Sequence, residues 1–247
     1  MGCLRRLQVR GFRSLREVDL VDLPSPAVLI GPNGAGKSNL LAFLRMVEFL
    51  STGSLGRFVG EAGGASSVLH YGSKRTREIE FTLEFESPEA GDGSKGINAY
   101  HARLGFAAGD RLVFLDERVG FQRPRATDFT WRSLGAGHFE SNIADADSSA
   151  VTIRTTRWFL RGMNFFHFHD TSDAARIRGY ARVEDSRYVR SDGSNLAAYL
   201  LALKEATDVN AQASWRRIIG LIRQVAPFIK DISPGYSGTD RRSVRLE

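Results

Sequence analysis

Residues 31–38 read Gly31-Pro32-Asn33-Gly34-Ala35-Gly36-Lys37-Ser38, and no other stretch constrains the fold as much. Gly31, Gly34 and Gly36 let a backbone curl until its N–H groups point at one anion, the geometry of a phosphate-binding P-loop. In that pattern Lys37 reaches the β/γ-phosphates of a nucleotide and the Ser38 hydroxyl holds Mg²⁺. The flanks agree with a strand–loop–helix unit. Ala27-Val28-Leu29-Ile30 is a short apolar run expected to be a buried strand. From Ser38 to Leu50 a helix is expected, with Leu40, Leu41, Leu44 and Val47 on one face. Backbone amides and a helix N-terminus then favour negative charge at the same point. ATP with Mg²⁺ is the ligand this arrangement implies.

The 247 residues suffice for a large core, and the balance of 42% hydrophobic to 25% charged residues is that of a soluble globular protein. No apolar run reaches the length of a membrane span, and no apolar segment follows Arg5 and Arg6 as a secretory signal requires. A cytoplasmic location without membrane contact is expected. Cys3, the single cysteine, excludes disulfide and zinc frameworks. The net charge of +6 admits a polyanionic partner such as DNA. Arginines gather at Arg5/Arg6/Arg10/Arg13/Arg16, Arg176/Arg178/Arg182 and Arg241/Arg242/Arg245, and they read equally as solvated surface or as phosphate contacts.

Residues 4–22 read as a strand, a corner at Gly11 and a second extended segment. Thr52 to Ser67 is glycine-rich and expected to be a mobile loop. Ile79, Phe81, Leu83 and Phe85 alternate strictly within Glu78 to Glu86, as do Tyr100, Ala102, Leu104 and Phe106 after a polar turn. A tight turn at 107–110 sends Leu112 to Val119 back, so residues 78–120 form an antiparallel β region. Thr152 to Leu160 suits a helix, and Asn164 to Phe168 a strand. Two helices complete a segment from 190 to 230. Ser194-Asn195 caps one that carries Leu196, Tyr199, Leu200 and Leu203. The other presents Trp215, Ile218, Ile219, Ile222 and Val225 before Pro227.

Leu7-Gln8-Val9-Arg10-Gly11-Phe12-Arg13-Ser14-Leu15, followed by the glycine loop through Asn39, resembles the opening of RecF/SMC-like ABC ATPases. Leu69-His70-Tyr71-Gly72, Phe166 to Ser172 and Asp192 to Leu200 are similar to segments of bacterial ATPases of the RecF-like, AAA-type group. The resemblance implies an α/β P-loop fold, specifically the N-terminal lobe of an ABC-ATPase head with an antiparallel β region and C-terminal helices. It makes residues 1–247 a single incomplete ATPase domain, with the nucleotide-binding core in 1–50. It adds Asn39 and Arg13 to the nucleotide contacts. It further implies a homodimer, or a complementing ATPase half or effector subunit, and roles in DNA repair or defence against foreign DNA. A non-hydrolysing ATP-dependent interaction module is the alternative.

Such a head also needs a signature helix, a Walker B strand ending in Asp-Glu and a switch histidine, and two stretches imitate these parts. Leu112 to Glu117 ends in Asp116-Glu117 but follows a four-residue turn, so it is expected in a hairpin. A Walker B strand runs parallel to the P-loop strand instead. Ser191-Asp192-Gly193-Ser194 precedes a helix, yet no apolar strand ending in Asp-Glu follows, and it reads as a capping turn. Relatives are expected to continue beyond Glu247 into the missing motifs. No catalytic carboxylate is assigned; Glu117 and Asp170 are the candidates on offer. The resemblance puts Asp170, Thr171 and Ser172 near Mg²⁺ or the attacking water. His167 and His169, at strand spacing, admit a metal site as the competing reading.

Overall fold

The computed structural model describes residues 3–87, 95–147, 149–163, 166, 172, 174–237 and 241–246. It divides into two compact units, Met1–Met163 and Asn164–Glu247.

In the first unit, period-two sequences become a six-stranded antiparallel sheet. Its strands are β1 (Leu4–Phe12), β2 (Leu15–Val21), β3 (Glu78–Glu86), β4 (Ile97–Ala107), β5 (Arg111–Gln122) and β6 (Thr130–Gly135), in the order β2-β1-β3-β4-β5-β6. Register aligns the apolar positions on one face: Val9 opposite Phe81, Phe81 opposite Ala102, Leu83 opposite Tyr100 and Tyr100 opposite Val119. Helices α1 (Lys37–Ser51), α2 (Leu55–Glu61), α3 (Ala65–Val68) and α4 (Val151–Arg161) supply the apolar side chains that share this core. Phe43 of α1 sits edge-on to both Phe12 and Phe81, at 5.6 and 5.2 Å between centroids. Phe159 of α4 stacks on Phe85 at 4.8 Å. Such contacts add about 0.5–1.5 kcal/mol each beyond the area they bury.

Several expectations change. The core face of α1 is Leu40, Phe43, Met46, Val47 and Leu50, while Leu41 is exposed. Leu41 lies two residues from Phe43, roughly 200° around the helix, so it cannot share that face. Gly11 is not the corner between β1 and β2, which falls at Arg13 and Ser14. Gly11 nevertheless has φ +80, and a Cβ there would stand 2.3 Å from the Glu78 carbonyl oxygen, so only glycine fits. The segment 52–67 is α2 and α3 rather than a loop. Both helices begin on a distant carboxylate. Glu140 accepts from the Leu55 and Gly56 N–H groups at 2.6 and 2.8 Å, and Asp110 at the β4–β5 turn accepts from Ser66 N–H at 2.8 Å.

The largest correction concerns Ala27-Val28-Leu29-Ile30. It is assigned to no strand, and Val28 and Ile30 are 76% and 91% exposed. The last backbone bond before the glycine loop joins Leu23 N–H to the Arg5 carbonyl at 3.1 Å. Among the described residues no strand pairs with the run.

The second unit holds α5 (Leu196–Glu205), α6 (Val209–Val225) and a small sheet of β7 (Ala181–Arg182), β8 (Pro234–Ser237) and β9 (Ser243–Leu246) in the order β7-β9-β8. Ala197, Ala198 and Leu201 pack with Ala181 and Val244. Asn195 precedes α5 but does not cap it by its side chain. Buried, it accepts from Arg190 N–H and donates to the Asp185 and Tyr188 carbonyls at 2.7–2.8 Å, which knots the preceding loop. Asp208 does cap α6, accepting from Ala211 N–H at 2.9 Å. Of the apolar α6 positions only Ile219 is buried, and Val225 is 88% exposed. Among the described residues no helix is long and apolar enough to cross a membrane.

Candidate nucleotide site

The glycine loop leaves Ile30 and closes into α1 at Lys37. Gly34 and Gly36 both take positive φ, +85 and +92, a conformation L side chains rarely adopt. Gly36 occupies the N-cap position and offers no side-chain cap to the helix. Within the loop the one backbone bond is Ala35 N–H to the Pro32 carbonyl at 3.2 Å, and Leu40 N–H returns to Gly36 at 2.9 Å. The N–H groups of Asn33, Gly34, Gly36, Lys37, Ser38 and Asn39 have no acceptor among the described residues. A helix start normally finds such partners in a cap, in water or in a ligand.

Lys37 donates to the Gly31 and Pro32 carbonyls at 2.5 and 2.8 Å, so its ammonium rests across the loop and is tied to no carboxylate among the described residues. Ser38 is exposed, and its hydroxyl makes no hydrogen bond among the described residues. Asn39 turns away from the loop mouth, its amide donating to the Ser14 hydroxyl at 2.6 Å. That bond fixes the β1–β2 turn against the start of α1, where a Cβ on Gly36 would meet Leu15 and Ser14 at 3.3–3.4 Å.

Arg13 in this turn has φ +45, and its guanidinium lies 5.6 Å from the Phe12 ring centroid. Its backbone is clamped by Val68 and by His70, which belongs to the Leu69–Gly72 segment that carries the family resemblance. Arg13 N–H donates to the Val68 carbonyl at 2.8 Å, and His70 Nδ1 meets the Arg13 carbonyl at 2.5 Å. His70 thus joins the loop after α3 to the turn that braces the P-loop. Strand pairing between Phe12 and Leu69 reinforces it.

Glu117 and Asp116 lie elsewhere in the architecture. Both sit in β5, antiparallel to β4 and β6, as a hairpin requires. Glu117 is fully buried on the helix-covered face. One oxygen accepts from the Tyr100 hydroxyl at 2.7 Å and from the Ser141 hydroxyl. The other accepts from His138 Nε2 at 2.7 Å and Asn142 N–H at 2.9 Å. His138 Nδ1 lies 3.3 Å from the Asn142 amide nitrogen, which places the ring proton on Nε2. Burial, with the Glu117 charge beside it, pushes the Tyr100 hydroxyl well above its usual range. Every oxygen of Glu117 is engaged in holding β4, β5 and the 141–143 turn together. Asp116 faces the open side of the sheet, 3.4 Å from Arg118 and 3.5 Å from His101. In the second unit Asp192 takes the Ser194 N–H at 3.0 Å and the Arg176 guanidinium at 3.2 Å, and the Ser194 contacts hold it below the usual carboxylate range. Asp170, Thr171, His167 and His169 lie outside the described residues.

A family model described as an AAA domain matches residues 6–177, well over half of the chain. The chain belongs to the AAA-domain family. An AAA domain implies a nucleotide, usually with Mg²⁺ beside it, and the glycine loop of this one fits that requirement. Its unpartnered N–H groups, the carboxylate-free Lys37 and the open Ser38 hydroxyl are the donors and the ligand oxygen such a group needs.

Proposed function

We propose that this AAA domain is the N-terminal lobe of a RecF/SMC-like, ABC-type ATPase head. Residues 31–38 bind the phosphates of ATP, Lys37 clamps them, Ser38 ligates Mg²⁺, and Asn39 and Arg13 brace the rim. Hydrolysis follows when a further polypeptide segment or a partner copy completes the site, and it serves DNA repair, recombination or defence against foreign DNA in the cytoplasm.

The observation that carries this reading is the state of Ala27–Ile30. Val28, Leu29 and Ile30, three consecutive large apolar side chains, are all exposed. The backbone groups of Val28, Leu29 and Ile30 have no partner among the described residues. A strand apolar on both sides belongs inside a parallel sheet covered on both faces. Burying each of these side chains would contribute about 1.5–3 kcal/mol. A strand laid beside this run would bring a carboxylate at its end close to the phosphate loop, which is what water activation in phosphoryl transfer needs.

The engagement of Glu117 favours a second reading for the chain by itself, a non-hydrolysing ATP-dependent interaction module. Phosphate release by wild type, Lys37→Ala and Glu117→Gln separates the possibilities. The chain alone is expected to turn ATP over negligibly and to gain turnover with the completing segment or partner. Hydrolysis by the chain alone that stops in a folded Glu117→Gln protein would establish a self-sufficient ATPase instead.

A further inference from the structure

Beside the braced turn, a cavity of about 440 Å³ is lined by Arg10, Gly11, Arg16, His70, Arg75 and Arg77. Some arginines of this unit have carboxylate partners: Arg6 with Asp19 at 2.7 Å, Arg57 with Glu61 at 2.9 Å, Arg103 with Glu78 at 3.5 Å. Arg10, Arg16, Arg75 and Arg77 have none among the described residues, and all are exposed. The wall also carries two carboxylates, Glu78 and Glu80, the latter opposite Arg10 in the β1–β3 register, so arginines outnumber acids there four to two. Glu78 pairs with Arg103, and Glu80 lies 4.0 Å from His101.

The cavity is also built rather than incidental. Gly11, the position that admits only glycine, lies on its wall. The segment carrying Arg75 and Arg77 is pinned at both ends. Arg75 and Thr76 N–H groups donate to the Gly72 carbonyl at 3.1 and 3.0 Å, and the Arg77 carbonyl accepts from Phe106 N–H at 2.8 Å. Unpaired guanidiniums are therefore held on a fixed backbone, without the ordering cost a floppy loop would carry. In one cavity of the second unit, two of the lining arginines, Arg176 and Arg190, are tied to Asp192 and Asp185.

We propose that this cavity grips the sugar–phosphate backbone of nucleic acid, with Arg10, Arg16, Arg75 and Arg77 on successive phosphates. The proposal rests on the reading above that the chain works on nucleic acid, and it assigns the site. Arginine forks suit phosphate oxygens. The opening is far larger than a single phosphate. Lys74 continues the positive charge along the same segment. The wall carries neither an apolar patch nor a stacking aromatic ring beyond His70, so it can seat phosphates but not read bases.

Anisotropy of a fluorescein-labelled, mixed-sequence duplex, titrated with the full chain across a salt series, tests the assignment. Arg75→Ala/Arg77→Ala is expected to bind about ten-fold or more weakly at fixed salt. It should lower the slope of log affinity against log salt by about two. Fluorescent ATP binding should stay at the wild-type level, and Arg216→Ala/Arg217→Ala on α6 should leave DNA affinity unchanged. Wild-type affinity and slope in the cavity variant would overturn the proposal. So would displacement of DNA by polyglutamate at equal charge. Binding of inorganic triphosphate that depends on Arg75 and Arg77, with no DNA binding at low salt, would make the cavity a small-anion site and equally refute it. A Lys37→Ala protein that loses ATP but keeps DNA separates this site from the P-loop, since either can then fail alone.

Discussion

Replacing Glu117 by Gln tests whether the Asp-Glu pair of β5 serves structure or catalysis. The carboxylate accepts from Tyr100, Ser141, His138 and Asn142 inside the core, and all of these are donors. A glutamine keeps the volume but turns one acceptor into an NH₂ group. On one side that group faces two hydroxyls, which can rotate only at the expense of their own bonds, and the Ile143 N–H at 3.3 Å, which cannot turn away. On the other it faces His138, which can shift its proton, and the Asn142 N–H, which cannot. At least one buried donor is therefore left unpaired, at about 1–3 kcal/mol, and the remaining bonds lose their charge assistance. A loss of about 3 kcal/mol follows. For a unit of this size that lowers the melting temperature by roughly 6–12 °C. Asp116→Asn, next along the strand but on the open face, should change stability by less than about 1 kcal/mol. Thermal unfolding by circular dichroism, read beside ATP affinity at a temperature where all variants are folded, checks this. Unchanged melting in Glu117→Gln, with altered nucleotide chemistry, would refute the structural assignment.

Two further outcomes follow from the same sheet. Burial lowers the pKa of His101 below 6.5, and Arg118 adds to the effect. The unfolded chain then binds the proton more readily, so stability is full above pH 6.5 and falls as pH drops from there towards the folded value. Urea unfolding between pH 7.5 and 5 should show this slope in wild type and a shallower one in His101→Gln; equal slopes would contradict it. Gly11→Ala should lose at least about 2 kcal/mol, because its positive φ is strained for alanine and its Cβ meets the Glu78 carbonyl at 2.3 Å. Wild-type stability in that variant would show the backbone can shift.

Local patterns in the sequence were legible wherever one element satisfies itself. Strict alternation in Glu78–Glu86 set the limits of β3, and the 107–110 turn announced the β4–β5 hairpin around Asp116 and Glu117. The glycine loop was legible for the same reason, since its spacing is its geometry. What escaped reading depends on distant partners. Nothing in 52–67 tells that Glu140 and Asp110 will supply the helix starts that turn a glycine-rich stretch into α2 and α3. The apolar run 27–30 reads as a buried strand because its chemistry asks for cover, which the described residues do not provide. His70 could not be placed beside Arg13 by spacing, as 57 residues separate them. The arginine cavity was half visible: Arg10 and Arg16 cluster in sequence, but Arg75 and Arg77 join them only through the β1–β3 pairing.

The measurement closest to the central claim is a titration of fluorescent ATP, with Mg²⁺, into wild type and Lys37→Ala. The loop's free N–H groups remain in the variant, but the charge-assisted bonds from the ammonium, about 1.5–3 kcal/mol, are lost. Wild type should bind saturably, and Lys37→Ala should bind about ten- to a hundred-fold more weakly. Equal affinities, or no binding by wild type, would contradict the assignment of residues 31–38 as the nucleotide site.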